Sequence, residues 1–248
     1  MTRQLAAAGA VFVGDLEQGS ADERAWRSRS IAPSEIAAIM ARDSEGQTRE
    51  DLLRRKAVGA GRPPMTNPHQ PGLGWEKQPE LATVFGTQHP EYEVVTTGYW
   101  VSIDRPWQRC WPHRVLVPTG HNAASGPAPI VATLTFRTTR DTLNAKGWGP
   151  DGSEQIPLAR YDHHQWLLDT CGLASGYIVA YSGHDDETRT YRIGCDDEHI
   201  IRLRTAGREF LRELAARTRA PSARHPNTSG AAHDRDHDPH RHGDGAYQ

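Results

Sequence analysis

Apolar and polar positions along the chain fall into two regimes, helical first and extended afterwards. Ser34 stands before Glu35-Ile36-Ala37-Ala38-Ile39-Met40, and a serine ahead of a short apolar-periodic run predicts an N-cap and a helix over 35–40. Thr48 with Glu50, Asp51, Leu52 and Leu53 predicts a second helix ending near Gly59 and Gly61, and the Pro- and Gly-rich residues 60–73 predict a loop. A third helix is expected over 76–85, with Leu81, Val84 and Phe85 on its apolar side. The period then changes. Residues 93–103 are rich in β-branched and aromatic side chains and read as one strand, with further strands at 114–117 and 130–136. Pro157 precedes a helix over 158–173, and strands follow at 176–181 and 188–193. A long helix over 196–218 carries Ile200, Ile201, Leu203, Phe210, Leu211 and Leu214 as its stripe. This order describes an α/β (α+β) domain with a mixed central sheet flanked by helices.

Composition limits where that domain lies. Hydrophobic residues make up 36% of the 248, below the usual share of about 45–50%, so part of the chain is expected outside any core. Residues 220–248 hold almost no bulky apolar side chain and five of the thirteen histidines (His225, His233, His237, His240, His242), mixed with Asp. A solvated, disordered tail is the expectation, with transition-metal binding as the sharper alternative. The chain therefore divides into a lead segment (1–24), a folded domain (25–218) and a His/Asp-rich tail (219–248). No apolar run approaches the ~18 residues of a membrane span, and residues 5–14 lack the flanks of a signal peptide. Cys110, Cys171 and Cys195 are widely spaced without a CxxC, which excludes a cysteine zinc site and fits small core fillers in a reducing cytoplasm. The net charge of −2 excludes a uniformly basic nucleic-acid binder, so any DNA contact must come from a local cluster.

The order of elements and several local phrases resemble the YqaJ-type phage recombinase nucleases, relatives of lambda-type exonucleases in the PD-(D/E)xK superfamily. The resemblance runs from about Arg29 to Leu214. It rests on Ile31-Ala32-Pro33-Ser34-Glu35-Ile36-Ala37-Ala38-Ile39, on Leu52-Leu53-Arg54-Arg55-Lys56, on Gly147-Trp148-Gly149 followed by Ile156-Pro157, and on Asp196-Asp197-Glu198 leading to Phe210. It implies a restriction-endonuclease-like fold and Mg²⁺ or Mn²⁺ held by carboxylates at a scissile phosphate. The family places a Glu on a helix, an Asp in a P-D turn, an E-x-K pair on the next strand and a Gln on the following helix.

Carried over position by position, those sites fall on Gln78, His113, Thr135, Arg137 and His163. Gln78 and Thr135 are neutral and cannot offset the charge of a dehydrated divalent ion. His113 is a poor Mg²⁺ ligand. Arg137 stays protonated, so it cannot take a proton from water, yet it can clamp a phosphate. The expectation is a DNA-binding pseudonuclease with no cofactor, contacting phosphates through Arg29, Ser34, Arg114, Arg137 and Arg140. Its partners would be duplex or single-stranded DNA and a second copy, an active paralogue or a recombinase.

Two other classes stay open. One is an active Mg²⁺- or Mn²⁺-dependent nuclease whose ligands have migrated, with Glu76 or His113 at the metal and Asp104, Asp141 or Glu80 as reserves. The other is a protein-interaction scaffold. Arg105 and Arg109 also gather near the site strands, as a phosphate track or as solvated strand ends. Trp100, Trp107, Trp111 and Trp148 are candidates for base stacking, with core packing as the commoner fate of large aromatics.

Overall fold

The computed structural model describes residues 4–14, 20–42, 47–59, 73–122, 124 and 126–219. The proposed tail beyond 219 and most of the proposed loop at 60–73 lie outside them. Ten strands and six α-helices are assigned in this set.

A five-stranded mixed sheet has the order β10-β9-β8-β6-β3. It comprises β3 (Tyr92–Val95), β6 (Arg114–Pro118), β8 (Ala132–Thr139), β9 (Ser175–Ser182) and β10 (Thr188–Gly194). β8 and β9 run parallel, with Thr135 opposite Ile178 and Arg137 opposite Ala180, and the remaining pairs are antiparallel. The two-residue period of β8 divides its side chains between the two faces. Ala132, Leu134 and Phe136 join Leu116, Tyr177, Val179 and Tyr181 under Leu81 and Phe85 of α4 (Leu73–Gln88). Thr133, Thr135 and Arg137 take the other face.

That second face is covered by α5 (Leu158–Cys171), which packs on β8 and β9 and is buried on nearly every side along its C-terminal half. Trp166 of α5 joins Ile31, Ile36, Ile39, Leu52, Leu53, Leu203, Phe210 and Leu214. This cluster unites α2 (Pro33–Ile39), α3 (Arg49–Ala57) and α6 (Asp197–Arg219). Leu167, Leu168 and Cys171 instead pack with Ala10, Trp100, Cys110 and Val115. These belong partly to a smaller sheet of order β2-β4-β5: β2 (Ala10–Gly14), β4 (Tyr99–Ser102) and β5 (Arg109–Cys110). β1 (Leu5–Ala6) pairs with β7 (Ala128–Pro129).

Gly172 caps α5 at φ +68°, where its Cα lies against the backbone of Gly9, and a Cβ there would stand 2.7 Å from the Gly9 nitrogen. Only glycine lets the lead segment approach so closely, and Gly9 N–H donates to Cys171 O at 2.9 Å.

Several expectations need correction. Ser34 is not the N-cap of α2. Ala32 is, Pro33 opens the helix, and the Glu35 carboxylate accepts the Ala32 N–H at 2.8 Å. Residues 93–103 contribute to two strands in two sheets, with pairing broken over 96–98, where Thr97 is buried and its hydroxyl accepts the Trp100 Nε1–H at 2.8 Å. Ile201 is exposed rather than part of the α6 stripe, and Cys195 is exposed, while Cys110 and Cys171 are buried with sulfurs 3.5 Å apart. An unpredicted helix, α1 (Ala21–Arg29), is capped by Ser20. Among the described residues no helix is long and apolar enough to cross a membrane.

Candidate functional site

A cleft of about 450 Å³ opens between α2, α4, α5 and the ends of β6 and β8. This falls within the ~300–1,000 Å³ typical of small-ligand sites. Four of the five positions read from the sequence line it: Gln78 from α4, His113 just before β6, Arg137 from β8 and His163 from α5. Thr135 does not. It shares Arg137's face of β8 one pleat further in and is 1% exposed beneath the cleft, its hydroxyl without a hydrogen-bond partner. Ser34 and Arg114 also line the cleft.

Arg29 and Arg140 do not. Arg29 is exposed at the end of α1 and turns back to donate to Ala25 O at 3.2 Å, and Arg140 is exposed beyond the end of β8. Arg105 is committed to Asp169 at 3.0 Å. The migrated-ligand candidates fail on position as well. Glu76 is exposed on α4, Glu80 pairs with Lys77, Asp141 pairs with Lys146, Asp104 faces solvent, and none lines the cleft.

Five arginines (Arg27, Arg109, Arg114, Arg137, Arg160) line the cleft against a single carboxylate, Glu35, among the described residues. Glu35 is buried and fully engaged, with Lys56 Nζ 3.0 Å from Oε1, and with Arg109 Nη2 at 3.7 Å and the Ala32 N–H both at Oε2. Burial alone would raise its pKa, but Lys56 and Arg109 hold the carboxyl below the ordinary value. Arg109 also donates to Ser30 Oγ at 2.7 Å, and Lys56 to the carbonyls of Arg27 and Ser30 at 2.6 and 2.7 Å. Arg27 is paired with Glu23 at 2.5 Å.

The histidines of the site are neutral. Burial and the guanidinium groups of Arg137 and Arg114 push the His113 imidazole down to about 3. Burial, then Arg137 and Arg160, hold His163 well below its ordinary value. His164, fully buried behind it, is also pushed down to about 3 by burial and Arg137. His113 uses Nδ1 to accept the Phe136 N–H at 3.0 Å, which places its proton on Nε2. The ring therefore offers the cleft a donor and no lone pair.

The divalent ion implied by the family resemblance does not fit this donor set. His113 has no lone pair to give, Gln78 is uncharged, Glu35 is locked to two cations, and Arg137 is itself a fixed positive charge. Among the described residues no group of three His, Cys, Asp or Glu gathers as a metal site would need. What the cleft can do is receive an anion through guanidinium forks and the His113 Nε2–H.

No family model matches the sequence, and no curated protein matches it. Solved structures do share the fold. The chain is similar to the alkaline exonuclease LHK-Exo from Laribacter hongkongensis, with TM-score 0.57 and 16% identity over 79% of this chain and 94% of that one. It is likewise similar to LHK-Exo in complex with dAMP, with TM-score 0.59, 15% identity and the same coverage. This chain thus shares the fold of that exonuclease, and at these identities the likeness is one of fold alone.

Proposed function

We propose that this chain is a DNA-binding protein of nuclease fold, related to the YqaJ-type recombination nucleases, whose cleft holds a phosphate without cutting it. The observation that carries the reading is Arg137 in the lining of the cleft, where its charge adds to burial in depressing His113, His163 and His164. Hydrolysis needs a group that takes a proton from water. Arg137 is permanently protonated, and imidazoles with strongly lowered pKa values are weak bases near neutral pH. Gln78 and Thr135 add neither charge nor basicity. The same groups suit phosphate binding, since a guanidinium fork matches two phosphate oxygens and phosphate contacts supply most sequence-independent DNA affinity. The complex of LHK-Exo with dAMP shows this fold holding a nucleotide. Such a protein would act in the cytoplasm, as a regulator or as a partner to an active paralogue or a recombinase.

The test is purified protein with linear duplex and single-stranded DNA, with Mg²⁺, with Mn²⁺ and with EDTA. The expected result is binding that falls steeply with salt and ignores Mg²⁺, with no cleavage above background. Cleavage abolished by EDTA would replace this reading with that of an active nuclease, and salt-independent absence of binding would leave a protein-interaction scaffold.

A further inference from the structure

Resting on the phosphate-holding reading above, we infer that Trp111 is a stacking platform for an unpaired base, so that the cleft selects a single-stranded nucleotide over a fully paired one. β5 ends at Cys110 and β6 begins at Arg114, and across the link between them successive residues fall on opposite sides. Arg109, Trp111 and His113 line the cleft, while Cys110 and Pro112 are buried behind them. Trp100 and Trp148 are core residues, and Trp107 packs partly buried against Trp166. Trp111 is 42% exposed, and of the large apolar side chains exposed among the described residues it alone lines the cleft.

Its orientation is fixed without using up the ring. Nε1–H donates to Thr97 O at 2.9 Å, and one side leans on Tyr99 with centroids 4.7 Å apart at 43°. Tyr99 is itself buried, held by Glu23 through a 2.9 Å hydrogen bond and edge-on to Trp26. A rigid indole two residues from His113 and three from Arg114 places an apolar plane beside the phosphate donors. A nucleotide offers the same pair of features, an anionic phosphate and a flat base. A base inside a duplex has both faces covered by its neighbours and a blunt duplex offers only its two terminal pairs, so a platform of this kind favours a strand whose bases are all unpaired.

The test compares a thymidine oligomer, the same backbone carrying abasic sites, and a blunt duplex, by fluorescence anisotropy at fixed ionic strength. The proteins are the wild type, Trp111→Ala, Trp111→Phe and Arg137→Ala. The wild type should favour the thymidine oligomer over both others. Trp111→Ala should lose roughly 5- to 150-fold for the base-bearing oligomer, the range measured for one base on one aromatic, while keeping its affinity for the abasic backbone. Trp111→Phe should retain part of the preference, and Arg137→Ala should weaken all ligands alike. A wild type without preference for bases overturns the inference before any variant is needed. Equal effects of Trp111→Ala on abasic and base-bearing strands also overturn it, and if Arg137→Ala still weakens both, the phosphate-holding reading survives alone. Wild-type protein that binds none of the three sinks both.

Discussion

His113 accepts the backbone N–H of Phe136 at Nδ1, 3.0 Å away, and so extends the pairing of β8 by one side chain past the start of β6. A carboxylate at this position has two oxygens, one for the N–H and one for an ion. An imidazole has only one lone pair, and the strand consumes it. Replacing His113 with Ala strands a buried N–H, at a cost of about 1–3 kcal/mol. Asn, whose side-chain oxygen falls near the place of Nδ1, should recover much of it. Urea unfolding of the three proteins checks this; equal losses for Ala and Asn would mean that the hydrogen bond contributes nothing to stability.

Acid should weaken the fold through its neutral histidines. His113 and His164 sit at about 3 when folded against 6.5 when unfolded, so between those values the unfolded chain binds more protons and stability rises with pH. It is greatest above 6.5 and is lost progressively as pH falls toward 3. The ring of His164 has only the Gly176 backbone as a polar neighbour, so His164→Met should cost little at pH 8 and should flatten the slope of thermal midpoint against pH. An unchanged slope would assign the acid sensitivity to other groups.

Glu35 stabilises by neutralising two buried cations. Glu35→Gln leaves Lys56 and Arg109 uncompensated and should cost about 3–5 kcal/mol. The double replacement with Lys56→Met should cost less than the single one. Because the carboxyl is held below its ordinary value, its contribution is present above pH 4.5 and disappears as pH falls through the lower folded value. Denaturant melts at pH 7 and at pH 3 read both effects; a single variant as stable as the wild type would show that water already screens this pair.

The cleft's positive charge is arginine alone at neutral pH, since His113 and His163 are held uncharged. DNA affinity should therefore stay flat from pH 8 down to pH 6 rather than climb as a histidine clamp would. Arg137→Ala should weaken binding by about 1–3 kcal/mol and lower the slope of log K against log salt by about one. Equilibrium titrations at several salt concentrations measure both, and a slope unchanged by the substitution would place the phosphate elsewhere.

Much of this arrangement is legible in the sequence, for identifiable reasons. β6, β8, β9, β10 and α6 carry their period in their own residues, and α3 announces itself through Thr48, whose hydroxyl accepts the Asp51 N–H at 3.1 Å. β1, β5 and β7 are two residues long and exist only through their partners, so no local pattern marks them. The family resemblance, carried over position by position, picks out Gln78, His113, Arg137 and His163, all of which line the cleft. It misses Arg27, Tyr99 and Arg160, which reach the cleft through tertiary packing, and it chooses Arg29, which lies two positions from Arg27 and so on the far side of α1. The sequence offers Trp111 only as one of four tryptophans, and the alternation of Arg109, Trp111 and His113 against Cys110 and Pro112 in the structure is what singles it out.

That alternation also constrains how the protein can change. Of the three cleft residues, Trp111 is exposed and can be exchanged without opening a buried pair, whereas Arg109 is tied to Glu35 and Ser30 and His113 to Phe136. Loss or gain of one residue between 109 and 113 would instead turn the sulfur of Cys110 and the ring of Pro112 toward water and drive Trp111 at the core. The wall tolerates a new residue at 111 but not a shift of frame between β5 and β6, and lineages that keep the fold should differ at 111 while agreeing in length.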